Sequence, residues 1–162
     1  MMFDLPTTVQ DPPVRLLAAF QQVFPSAAPE HLIPVPGREL WVAALTNTSR
    51  EFMLHVPDLN GKTCFNGRSA QRRQTVLRRP LPRWARYPAG VIVHLRGSDL
   101  EIANPEKGAA IVIVGDETVG PRYEHALGIA VAALWHELYG LSYDSKDLLE
   151  IVEKAHRDYV GN

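Results

Sequence analysis

The strongest constraint in this chain is a run of four β-branched residues, Ile111 to Val114, inside the stretch "GAAIVIVG". A strand with no polar position has no face to give to water, so it belongs in a sheet covered on both sides. The following "DETVGPRYEHALGIAVAALWHELYG" reads as a turn bounded by Gly115 and Gly120, then a helix from about Tyr123 to Tyr139 that stops at Gly140. Strand, glycine-bounded turn and helix are the layout of a phosphate-cradling loop, in which backbone N–H groups and a helix N-terminus converge on an anion. This turn, however, carries Pro121, Arg122, Tyr123 and Glu124 where such loops want small residues.

Around that unit the pattern is mixed. Asp11 precedes "PPVRLLAAFQQVF", where Leu16, Leu17, Phe20, Val23 and Phe24 recur at helical spacing until Pro25. "SAAPEHLIPVPGREL" reads as a proline-rich connection, and "LWVAAL" and "EFMLHV" as strands. "RYPAGVIVHLRG" fits helix or strand, with Pro88 interrupting either. A last helix starts near Ser142 to Ser145 and places Leu148, Val152, Ala155 and Tyr159 on one face, with Gly161 as its stop.

With 162 residues, 46% hydrophobic and 22% charged, the chain suffices for one α/β or α+β domain with its own core. Cys64 is the sole cysteine, so no internal disulfide forms, and "HELYG" lacks the second histidine of a zinc helix. No apolar run approaches the ~18 residues of a membrane span. The first ten residues carry no basic and apolar leader pattern, which makes the cytoplasm the expected compartment.

The net charge of -1 conceals a segregation. Residues 59–98 contain no Asp or Glu but hold Lys62, Arg68, Arg72, Arg73, Arg78, Arg79, Arg83, Arg86 and Arg96, leaving a formal -10 on the remainder. Such a segment either binds a polyanion, with Trp84 and Tyr87 offering stacking faces, or is a solvated basic face. The second reading is preferred, because nothing matches a known nucleic-acid module. His94 and His136 sit among apolar residues and read as satisfied core or edge histidines and not as ligands. Cys64 has no base partner in its surroundings and reads as structural.

Four segments, collinear over nearly the whole chain, resemble the galactokinase branch of the GHMP small-molecule kinases. "RLLAAFQQVF" with "VPGREL" is similar to the family's opening helix and its "APGRVNLIGEHTDY" motif. "RWARYPAGV" resembles "W-x-N-Y-V-x-G-V". "GDETVGPRYEHALGIAVAALWHELYGL" stands where the family has its glycine- and serine-rich phosphate loop and long helix. "EIVEKAHRDYVG" resembles "A-x-x-A-E-x-x-(F/Y)-V-G". The resemblance implies a GHMP-kinase N-terminal-like fold spanning 1–162, two layers with a mixed sheet backed by helices. It also implies that the chain is a fragment or a stand-alone half of a longer kinase.

The departures fall on the chemistry. Where the family has Glu-His-Thr-Asp this chain has Ala44-Leu45-Thr46-Asn47, so the sugar-gripping acid stands as Asn47. Arg38 alone remains as a contact near the transferred phosphate, unless it simply pairs with Glu39 or Asp116. In the phosphate loop Gly115 and Gly120 persist, but Arg122 replaces a glycine and Glu124-His125-Ala126 replace the serines. The Mg²⁺-holding acid falls at Ala130, and the family's catalytic Asp lies past the position of Asn162. Glu124 is expected to supply the negative charge of the missing nucleotide. The opposing reading makes Arg122 and His125 a new anion site.

These expectations converge on a galactokinase-like domain without kinase activity as it stands, binding a sugar or a protein partner, or associating with itself. No metal, ATP or Mg²⁺ is expected. The alternative is an ATP-dependent sugar kinase completed by a C-terminal half, and a third is polyanion binding through residues 59–98. Neither a nucleic acid nor a membrane is the favoured partner.

Overall fold

The computed structural model describes residues 12–96 and 108–161. The β-branched run lies in β5 (Gly108–Gly115), the middle strand of a five-stranded sheet in which every residue but the last is buried. β1 (His31–Pro34) and β2 (Leu40–Asn47) flank it on one side, β3 (Glu51–Val56) and β4 (Gly61–Asn66) on the other, in the order β1-β2-β5-β3-β4. β3 runs parallel to β5, and every other neighbouring pair is antiparallel.

Alternation sorts the side chains of β5 onto two cores. Ala109, Ile111 and Ile113 face the larger one, built with α3 (Arg86–Arg96), α4 (Pro121–Leu138) and α5 (Ser145–Ala155). Val112 and Val114 face the other, closed by Leu16 and Phe20 of α1 (Val14–Val23). Helices therefore cover both faces of the central strand, as its unbroken apolar run requires.

Several local readings change. The proline-rich connection contains β1, whose Ile33 is 5% exposed, and Pro34 sits on the sheet edge, where a missing N–H costs nothing. The polar "GKTCFN" is β4, paired residue for residue with β3. "RYPAGVIVHLRG" is helical: α3 tolerates Pro88 because it lies in the first turn, where the N–H would have no partner. α4 starts at Pro121, two residues earlier than the pattern suggests, with Pro at a favoured first position. Asp11, the expected cap of α1, lies outside the described residues, as does the end of the basic segment at 97–98.

Two capping boxes fix helix starts. Asp147 donates its N–H to the Asp144 carboxylate at 2.8 Å and returns a carboxylate to the Asp144 N–H at 3.1 Å. Asn66 and Ser69 do the same for α2 (Gly67–Gln71). On α5, Leu148, Val152 and Ala155 are buried as the spacing predicts, and Tyr159 continues that face from a π-turn over His156–Val160. Gly140 adopts φ +65 after α4, the left-handed stop that glycine takes without strain.

Candidate functional site

The C-terminal end of β5, the turn after it and the first turn of α4 form one face of the molecule. Asp58, in the short helical turn Pro57–Leu59 after β3, organises it. Its carboxylate accepts the Gly115 N–H at 3.0 Å and the Tyr123 hydroxyl at 2.7 Å, and it pairs with Arg15 of α1. Arg15 also donates to the Gly115 carbonyl at 2.7 Å. Burial and the hydrogen bond to Asp58 push the Tyr123 hydroxyl far above the ordinary tyrosine range, so it stays a donor. A β-carbon on Gly115 would lie 2.0 Å from the Glu39 carbonyl, which is why glycine is needed here.

A second carboxylate fills the turn itself. Glu117, with a side chain only 7% exposed, lies 3.0 Å from the Arg122 guanidinium and accepts the Glu39 N–H at 3.1 Å. Gly120, at φ +142, bends the chain into α4, and Pro121 removes the first N–H of the helix.

Glu124, in the first turn of α4, points elsewhere. Its carboxylate lies 3.8 Å from Arg83 and lines a cleft of about 480 Å³ with Arg86, Tyr87, Pro121, His156 and Val160. The charge that occupies the turn thus comes from Glu117, and Glu124 contributes only its position near the helix start. Tyr87 is held between two imidazoles, stacked on His156 at 5.7 Å and edge-on to His125 at 5.4 Å. His125 lies 3.9 Å from Glu153, while burial, then the nearby Arg38, hold its pKa below the ordinary histidine value. Arg122 pairs with Glu117 and His125 faces Tyr87 and Glu153, so the two do not converge on one anion.

Arg38 lies in the turn between β1 and β2 and lines a separate cleft of about 470 Å³ with Trp41, Gly115 and Asp116. It donates to the Gly37 carbonyl at 3.1 Å and pairs with neither Glu39 nor Asp116. Its Nε is buried without a hydrogen-bond partner among the described residues.

Asn47 is not part of this face. β2 pairs Leu40 with Gly115 but Asn47 with Gly108, so Asn47 ends the opposite side of the sheet, about 24 Å along the strand. There its amide shapes the turn into β3, accepting from Ser49 N and Oγ and donating to the Glu51 carbonyl at 3.2 Å.

Three features of the turn and helix bear on an anion such as a triphosphate. The turn already holds a carboxylate, Pro121 offers no N–H, and Ala130, where the resemblance places the Mg²⁺ acid, is fully buried. No group of three His, Cys, Asp or Glu side chains among the described residues could hold a metal ion. No described helix is long and apolar enough to cross a membrane.

The sequence did not mark Asp58, Arg15 or Glu117. Asp58 meets partners 43, 57 and 65 positions away, and Glu117 meets the Glu39 N–H 78 away, so no local spacing carries the signal.

No family model and no curated protein matches the chain. Solved structures do. The galactokinase of Lactococcus lactis complexed with galactose superposes with a TM-score of 0.66 over 92% of this chain, at 20% identity. The fold is similar to that of GHMP kinase domains. The mevalonate kinase of Methanococcus jannaschii matches with a TM-score of 0.53 over 73% of the chain, at 13% identity. A further mevalonate kinase gives 0.53 over 74%, at 12% identity. The chain spans between 36% and 43% of the length of these three kinases. At such identities the GHMP likeness establishes the mixed-sheet α+β fold and leaves activity to be argued from the site.

Proposed function

We propose that this chain is a galactokinase-type domain of the GHMP fold that acts by binding, of a sugar or a protein partner, and not by phosphoryl transfer. One observation carries the reading. The turn that would receive phosphates holds the Glu117 carboxylate, 3.0 Å from Arg122 and bonded to the Glu39 N–H. A triphosphate would have to displace a nearly buried carboxylate and then meet its charge.

Phosphoryl transfer needs positioned phosphates, a metal ion and a base or positioned nucleophile. Arg38 is the one retained residue whose charge is unpaired among the described residues, and it lies across from Gly115 in its own cleft. A lone guanidinium can orient an anionic or hydroxylated ligand, but it supplies neither a base nor a metal. The branch assignment draws on the fold match to a galactokinase, a protein solved with galactose bound, over 92% of this chain.

Calorimetric titration with galactose and, separately, with Mg-ATP tests the proposal, together with a coupled assay for sugar-dependent ADP release. The expected result is no saturable Mg-ATP binding and no ADP release. Turnover by the pure protein, or tight Mg-ATP binding lost in Arg122→Ala, overturns it.

A further inference from the structure

Residues 72–82 form a hairpin-like loop that α2 leads into and a short helical turn, Arg83–Ala85, leads out of. It is tightly built. Thr75 and Arg79 close it through the Thr75 N–H on the Arg79 carbonyl at 2.8 Å, and the Thr75 hydroxyl accepts from the N–H groups of Leu77 and Arg79. Gln74 bridges to Pro80, and the Val76 N–H binds the Cys64 carbonyl of β4 at 3.0 Å. The C-terminal turn clamps its base. Arg73 lies 4.6 Å over the Tyr159 ring and donates to the Tyr159 carbonyl, and the Tyr159 hydroxyl donates to Ala70.

What this scaffold presents is one apolar tip among guanidinium groups. Leu77 is 76% exposed, and Arg72, Arg78, Arg79, Arg83 and Arg86 are exposed along the same segment. Arg72, Arg78, Arg79 and Arg86 form no ion pair with a described residue, and Arg83 has only Glu124 at 3.8 Å. Among the described acidic residues, Glu124 alone approaches them.

The chemistry of the surface narrows its partner. Every exposed cation here is arginine, whose planar fork matches carboxylates two bonds at a time. Arginine is also a residue that protein interfaces concentrate. The two aromatic rings nearby are already engaged within the chain. The Trp84 ring packs against Gly61 so closely that a β-carbon there would lie 2.8 Å from it, and Tyr87 stacks on His156 and meets His125 edge-on. The carboxylate of Glu124 already approaches this surface from within the chain.

We propose that the loop Arg72–Arg86 is a docking surface for an acidic segment of a protein partner, with Leu77 as its apolar anchor and Arg78 and Arg79 as its principal carboxylate contacts. The inference rests on the protein-partner reading above and locates it on Leu77, Arg78 and Arg79, outside the Glu117 turn, so the peptide assay and the Mg-ATP titration can fail independently.

The test measures fluorescence anisotropy of a labelled peptide of glutamates interspersed with leucines against the full chain. Saturable binding that weakens with salt is expected. Binding should fall by at least about tenfold in Arg78→Glu/Arg79→Glu and by about threefold to tenfold in Leu77→Ser. Thermal unfolding checks that each variant folds. Should the double reversal unfold, Arg72→Glu/Arg86→Glu is expected to show the same direction of loss. Equal peptide binding by wild type and reversal variants, or no peptide binding, overturns the proposal. So does tighter binding of single-stranded DNA or of phosphatidylserine–phosphatidylcholine vesicles than of the peptide.

Discussion

The Glu117 carboxylate lies 3.0 Å from the Arg122 guanidinium and accepts the Glu39 N–H across the turn between β5 and α4. A side chain thus satisfies, from inside, the place that a glycine-rich loop would leave for an anion. Arg122 is 72% exposed, so the ion pair itself contributes little, and the backbone hydrogen bond is the larger part. Glu117→Gln is expected to cost at most about 1 kcal/mol and Glu117→Ala about 1–2 kcal/mol, measured by urea unfolding. Equal losses from the two variants would mean that charge, not the hydrogen bond, dominates.

Asp58 holds three partners from three different elements, Arg15, Gly115 and Tyr123. Removing it leaves the buried Tyr123 hydroxyl and the Gly115 N–H without their acceptor. Asp58→Ala should destabilise by about 3 kcal/mol, and Tyr123→Phe, which removes only one donor, by about 1 kcal/mol. The double variant is expected to lose less than the sum, because both changes break the same bond.

Burial, followed by nearby positive charge, lowers the pKa of both His94 and His125 from the ordinary 6.5. A depressed histidine takes up its proton in the unfolded chain before it does so in the folded one. The stability it allows is complete above 6.5 and is lost as pH falls below that value. Unfolding midpoints should drop through mildly acidic pH, and His125→Asn should flatten the slope. An unchanged slope in both His125→Asn and His94→Asn would assign the acid lability to other groups.

Burial, with Glu51 nearby at 3.6 Å, pushes the Cys64 thiol up to about 11 from 9.0. Only the thiolate is alkylated, so at mildly alkaline pH its reaction with iodoacetamide should be about a hundredfold slower than that of a free thiol. Glu51→Gln should speed it. The raised pKa also means that stability falls as pH climbs from 9.0 toward 11.

Legibility in the sequence followed the range of the interaction. The β-branched run of β5, the apolar face of α5 and the Gly140 stop are periodic or single-residue signals, and each stands in the structure where the pattern puts it. β1 and β4 leave no signature in the sequence because neither shows alternation of its own; each exists by pairing with a strong neighbour. Arg38 and Asn47, joined by the resemblance into one substrate site, stand at opposite ends of β2.

The sequence by itself determined that the chain is a mixed α/β layer around one doubly buried strand, and that the turn after it carries bulky residues where a phosphate-cradling loop would carry small ones. Those follow from periodicity and residue size, which act over a few positions. Only the tertiary structure decided which carboxylate fills that turn, why Asp58 matters and which arginines form no ion pair among the described residues. Charge pairing depends on distance in space, and the fold brings together residues dozens of positions apart.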